Sequence, residues 1–189
     1  MGGTVGWSQY EDYTSEKAVA AANTYDSLLQ GRESGESAEE MALISAGLRE
    51  THDGGAFAAF ASLQVAAAAV EAGDLVLARD ELESVMATIE LDSTLGQLVQ
   101  LRLARVMAAS GDEGTAVAIL EQGSSSFPAS YAQALGDIHL AAGRESEALM
   151  AYQSAQTESL ARGGQLGLVD LKVSGLSLRD AEDSIEDSQ

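Results

Sequence analysis

The chain lacks cysteine, and in 189 residues it has one proline, two histidines and only ten basic side chains. Without cysteine there is no disulfide framework and no thiolate for catalysis or metal binding, and the redox compartment stays open. A single proline, Pro128, and few β-branched residues leave long stretches of Ala, Leu, Glu, Gln and Met uninterrupted, which predicts an all-α fold. Two histidines fall short of the roughly four Cys/His ligands of a structural zinc site. Thirty acidic residues against the ten basic ones give a formal charge of -20, which repels polyphosphate and anionic lipid alike and argues against nucleic-acid binding. No run approaches the roughly 20 apolar residues of a membrane span, and no basic segment leads into an apolar one as in a signal peptide.

What the chain does have is repetition. The stretches "EAGDLVLARDELESV", "ASGDEGTAVAILEQG" and "AAGRESEALMAYQSA" align on Gly73, Gly111 and Gly143, which lie 38 and 32 residues apart. Seven residues before each glycine stands a small residue, Ala66, Ala104 and Gly136. Five residues after it stands Ala78, Ala116 and Ala148, and four further on come Leu82, Leu120 and Tyr152. The spacing predicts three helix hairpins: the glycine ends a first helix, the chain turns, and small residues twelve positions apart let the second helix pack closely on the first. The period brackets the 34 residues of a helix-turn-helix repeat class.

Upstream, Tyr10, Tyr13, Ala21, Tyr25 and Leu28 recur at helical spacing and predict a helix ending near Gly31. "SAEE" opens a second helix, with Ser37 as cap, Glu40 reaching back, and Met41, Leu43, Ile44 and Leu48 as its apolar side. These two would cap the open end of a repeat array. Beyond "RGGQLG", the segment "LVDLKVSGL" with Leu168, Leu171 and Leu176 reads as a helix-like closing cap, and the last residues as an acidic, mobile tail. The expected organisation is therefore residues 8–53 as capping helices, 54–162 as three repeats, 163–177 as a closing segment and 178–189 as tail.

The small residue, the turn and the alanine twelve positions on resemble the tetratricopeptide repeat, including Pro128 where that repeat tends to end. The large aromatic expected early in its first helix is absent, with Ser62, Gln100 and Ala132 in its place. "FASLQVAAAAVEAGDL", "LRLARV", "LVDLKVSGLS" and "GWSQY" together resemble the periplasmic part of the YfgM family, the ancillary subunit of the SecYEG translocon, from Trp7 to Ser177. The resemblance implies a short cytoplasmic segment and one inner-membrane helix ahead of the repeats, so that residues 1–7 read as the stub of an anchor. It implies association with the translocon and with the periplasmic chaperone PpiD, and a part in passing emerging proteins to periplasmic chaperones. The alternative is a soluble periplasmic or envelope-assembly repeat adaptor unconnected with the translocon.

No catalytic pattern accompanies the repeats. A Ser-His-Asp site needs a base oriented by a carboxylate beside a hydroxyl; His52 falls in the "THDGG" break and His139 on a repeat helix, where it reads as structural or groove-lining. Asp80 with Glu81 and Glu39 with Glu40 read as exposed helix faces, and Gly163, Gly164 and Gly167 lack the spacing and the Lys-Ser/Thr ending of a phosphate loop. The expectation is a non-enzymatic interaction module without metal or cofactor. The first helices of stacked hairpins line a concave side suited to peptide or helix capture. In the repeat register that side comprises Phe60, Leu63, Ala67 and Val70, then Leu98, Leu101, Arg105 and Ala108, then Gln133, Asp137 and Leu140, unless the N-terminal helix or the closing segment covers them and makes them core.

Overall fold

The computed structural model describes residues 3–51, 55–164 and 167–186, with side chains described for 16–51, 55–164 and 167–179. Among these residues the chain is all-α. Its helices are α1 (Gly3–Ser34), α2 (Ala38–Thr51), α3 (Ala56–Ala72), α4 (Leu75–Met86), α5 (Thr94–Ala109), α6 (Glu113–Glu121), α7 (Pro128–Ala141), α8 (Glu145–Ala161) and α9 (Leu168–Glu186). They gather into two compact units, residues 1–88 and 89–189.

The predicted hairpins are α3–α4, α5–α6 and α7–α8. Their turns are built alike. Gly73, Gly111 and Gly143 adopt φ of 82°, 92° and 75°, a left-handed conformation open to glycine at little steric cost. The following residue then donates its backbone N–H five residues back: Asp74 to Ala69, Asp112 to Met107 and Arg144 to His139. This closes the first helix with a Schellman motif. Asp74 and Asp112 next cap the second helix, their carboxylates accepting from the backbone N–H groups of Leu77 and Thr115. Arg144 cannot cap in that way, and its guanidinium instead pairs with Glu113 and donates to His139 Nδ1 at 3.0 Å.

The small residues lie where the register requires. Ala66, Ala104, Ala78, Ala116 and Ala148 are buried, as is Gly136, and Leu82, Leu120 and Tyr152 are the large side chains sealed beside them. Burial of each of those leucines stabilises its hairpin by about 1.5–3 kcal/mol. The third hairpin differs in its pair: a Cβ on Gly136 would stand 2.5 Å from the Tyr152 ring, so glycine is the residue that admits tyrosine there.

Unit 1 packs Ala21 and Leu28 of α1 and Met41 and Leu48 of α2 against Ala58, Ala61 and Val65 of α3. The capping box of α2 forms as expected, Ser37 Oγ accepting from Glu40 N and Glu40 Oε2 from Ser37 N. Leu43, expected on the apolar side of α2, is exposed. Two boundaries also differ. Helix α1, Gly3–Ser34, passes through Gly31 to Ser34, because Gly35 at φ 87° supplies the stop. Helix α9 continues past Ser177 to Glu186, with Arg179 tied to Glu145 of α8 at 3.0 Å and no glycine or proline beyond Gly175 to end it. The segment expected as a tail is thus helical through Glu186. Among the described residues no helix is long and apolar enough to cross a membrane.

Candidate protein-interaction surface

In unit 1, the register assigns Phe60, Leu63, Ala67 and Val70 of α3 to the open side. Helix α1 lies over part of that side. Tyr25 meets Phe57 and Phe60 with ring centroids 5.8 and 6.4 Å apart, and Arg32 reaches across to Gln64 and Glu71. Leu63 is buried and belongs to the core, which corrects its assignment to the open side; Ala67 is half-buried. Phe60 and Val70 keep 41% and 46% of their surface, and they are what α1 leaves uncovered.

In unit 2, α9 plays the same part for α7. Lys172 pairs with Asp137 and stands 4.9 Å over the Tyr152 ring, while Leu140 joins the cluster of Ala148, Tyr152 and Leu176. Asp137 and Leu140 are therefore partly covered, and like Gln133 they are half-buried. Of the closing leucines only Leu176 packs inward; Leu168 and Leu171 are exposed. Leu101 is also a core residue, packed with Ala104, Ala116, Leu120 and Tyr131, which corrects its assignment as well. The rest of the α5 face remains open: Arg105 is exposed, and Leu98 and Ala108 are half-buried.

Two polar networks were not foreseen. Glu81, expected on an exposed face beside Asp80, is buried: its carboxylate takes a two-pronged pairing from Arg49, at 2.6 and 3.2 Å. Ser45 and Ser62 complete the site, so Ser62 occupies the missing aromatic position with a hydroxyl that has partners. In unit 2, Gln97 ties the loops on either side of the α5–α6 hairpin together. It donates to the Asp92 carbonyl and accepts from Ser124 Oγ and the Ser126 N–H, while Gln100, at the second missing aromatic position, donates to the Leu91 carbonyl. Among the described residues no buried side-chain nitrogen or oxygen lacks a partner.

Burial pushes the Tyr152 phenol well above its ordinary range, and the Asp137 carboxylate accepting its proton at 2.7 Å adds to the shift. Burial likewise raises Tyr131, whose hydroxyl donates to the Gln97 carbonyl. Both rings are thus held neutral as hydrogen-bond donors, which locks hairpins rather than preparing a proton transfer. His139 accepts from Arg144 as part of the turn, and His52 lies outside the described residues.

No curated protein matches the chain. A family model described as a tetratricopeptide repeat-like domain matches residues 1–177. With three hairpins in repeat register, each closed by the same turn around matched small residues, the chain belongs to the tetratricopeptide repeat-like family.

Proposed function

We propose that the chain is a non-enzymatic protein–protein interaction module: the periplasmic domain of a single-pass inner-membrane subunit of the YfgM type, which assists the SecYEG translocon by handing emerging proteins to a PpiD-like chaperone. The observation that carries the module is the repeat architecture with one face of α5, that of Leu98 and Arg105, left open while α1 and α9 lie over parts of its counterparts. Repeat arrays of this class bind partners through such faces. The finer assignment is supported by the resemblance of the chain from Trp7 to Ser177 and by the turn from small, apolar residues to polar ones after Trp7.

The test is recovery of the protein from its own cells. Extraction from inner membranes by detergent, with translocon subunits and a periplasmic chaperone crosslinked to it, is the expected result. Release of the protein by osmotic shock, with no translocon subunit crosslinked, would overturn the assignment in favour of a soluble adaptor.

A further inference from the structure

Helix α5 is the one helix of the nine described that contains basic residues and no carboxylate; each of the others has at least one Asp or Glu. In a chain of charge -20 this is a local reversal of sign. Its two arginines, Arg102 and Arg105, are exposed and stand three positions apart, hence as neighbours on the helix surface.

The other basic side chains are differently placed. Six lie within ion-pair distance of a carboxylate, and Arg162 donates to the Ser125 carbonyl. Among the described residues Arg102 and Arg105 have neither kind of partner. Leu98 lies four residues before Arg102 and Ala109 four after Arg105, so one ridge of α5 presents a half-buried leucine, two unpaired guanidiniums and an exposed alanine.

We infer that this ridge is a docking site for an acidic amphipathic helix of a partner protein, with apolar side chains seated at Leu98 and Ala109 and carboxylates on Arg102 and Arg105. The charge selects the occupant: a basic helix would meet two guanidiniums here, in a chain that has thirty acidic side chains against ten basic ones to offer it elsewhere. Guanidinium forks pair with carboxylates in fixed bidentate geometry, which sets the register of the docked helix. The general repulsion of an acidic partner by the rest of the chain falls off over a Debye length of about 8 Å at physiological salt, leaving the local pairing in control at contact. This inference rests on the module reading above and specifies its partner.

The experiment has two arms. In the first, a fluorescent synthetic helix of Leu, Ala and Glu is titrated with the full chain, alongside its Lys-for-Glu counterpart. The Glu peptide is expected to bind, the Lys peptide not, and Arg102→Ala/Arg105→Ala to weaken binding about tenfold with the circular dichroism unchanged. Equal binding of both peptides, or an unaffected double variant, overturns the inference.

In the second arm a photocrosslinking residue replaces Ala109 in cells, with Leu43 of unit 1, 76% exposed, as the reference position. Crosslinks from position 109 to partner segments with clustered Asp and Glu are expected. Crosslinks there to a second copy of this chain, or to neutral or basic segments, overturn it. Partners captured from position 43 and none from 109 sink this inference alone; none from either position sinks the module reading with it.

Discussion

Gly136 offers the sharpest check on how the hairpins pack. An alanine Cβ at this position would stand 2.5 Å from Tyr152 Cε1, 2.6 Å from Cδ1 and 3.0 Å from Cγ. Ordinary carbon contacts begin near 3.5 Å, so the ring would have to retreat by about 1 Å. It has nowhere to go: Tyr152 has no exposed surface, its hydroxyl is held by Asp137 at 2.7 Å, and Lys172 stands over its face. Overpacking of this kind costs about 1–3 kcal/mol, and pulling the hydroxyl from its carboxylate adds to that. Alanine returns about 1 kcal/mol of helix propensity. Gly136→Ala should therefore destabilise unit 2 by about 1–3 kcal/mol, lowering the melting temperature by several degrees. Gly47, inside α2 with open space around it, is the control, and Gly47→Ala should stabilise by about 0.5–1 kcal/mol. The decisive measurement is a double-mutant cycle by urea unfolding. Gly136→Ala with Tyr152→Leu recreates the pair found at Ala104 and Leu120, and should be more stable than the sum of the single variants by at least about 1 kcal/mol. If Gly136→Ala behaves like Gly47→Ala, or if the cycle is additive, the matched-pair account of the repeats is wrong.

Two further predictions concern buried polar groups. Arg49→Met leaves the Glu81 carboxylate buried without its cation, which should cost about 3 kcal/mol, whereas Arg49→Met/Glu81→Leu should cost less than the single change; a double variant with a lower urea midpoint than Arg49→Met would contradict this. For the tyrosines, the sign follows from phenols raised in the folded state. Their contribution is complete below the ordinary tyrosine value near 10 and is lost as pH climbs beyond it toward the folded values, because the unfolded chain ionises first. Of the five tyrosines, Tyr131 and Tyr152 should show phenolate absorbance only above the normal range or together with unfolding. Titration of all five near pH 10 with helicity intact would refute the burial argument.

The hairpins were legible in the sequence because everything that makes them is local. A left-handed glycine and small residues twelve apart act within one hairpin of about thirty residues, and all three repeats share them, while a capping aspartate follows the glycine in the first two. The capping box at Ser37 and Glu40 is local too. Glu81 was misplaced for the opposite reason. Its partner Arg49 sits 32 residues away on α2, and helical spacing alone does not distinguish a solvated carboxylate from one that meets a buried guanidinium. A signal was present: Glu81 lies three residues after Ala78 and immediately before Leu82, on the flank of the buried side, in a chain with few cations to spare.

The candidate surface shows the same division at one slot of the repeat. Ala67, Arg105 and Asp137 each stand one position beyond the small residue of their hairpin, so the register treats them as equivalent. Ala67 lies on a helix that α1 crosses, Asp137 is held by Lys172 of α9, and Arg105 faces outward without a partner among the described residues. The difference is not in the repeat but in what packs against it. Leu63 and Leu101 make the converse point: both are buried although the register faces them outward, Leu101 among Ala104, Ala116, Leu120 and Tyr131 of its own unit. In this chain, then, the candidate surface is set by subtraction, as the part of the repeat helices that neither flanking helix covers. Its charge matters because that remainder contains Arg102 and Arg105, neighbours on one ridge with no carboxylate partner among the described residues.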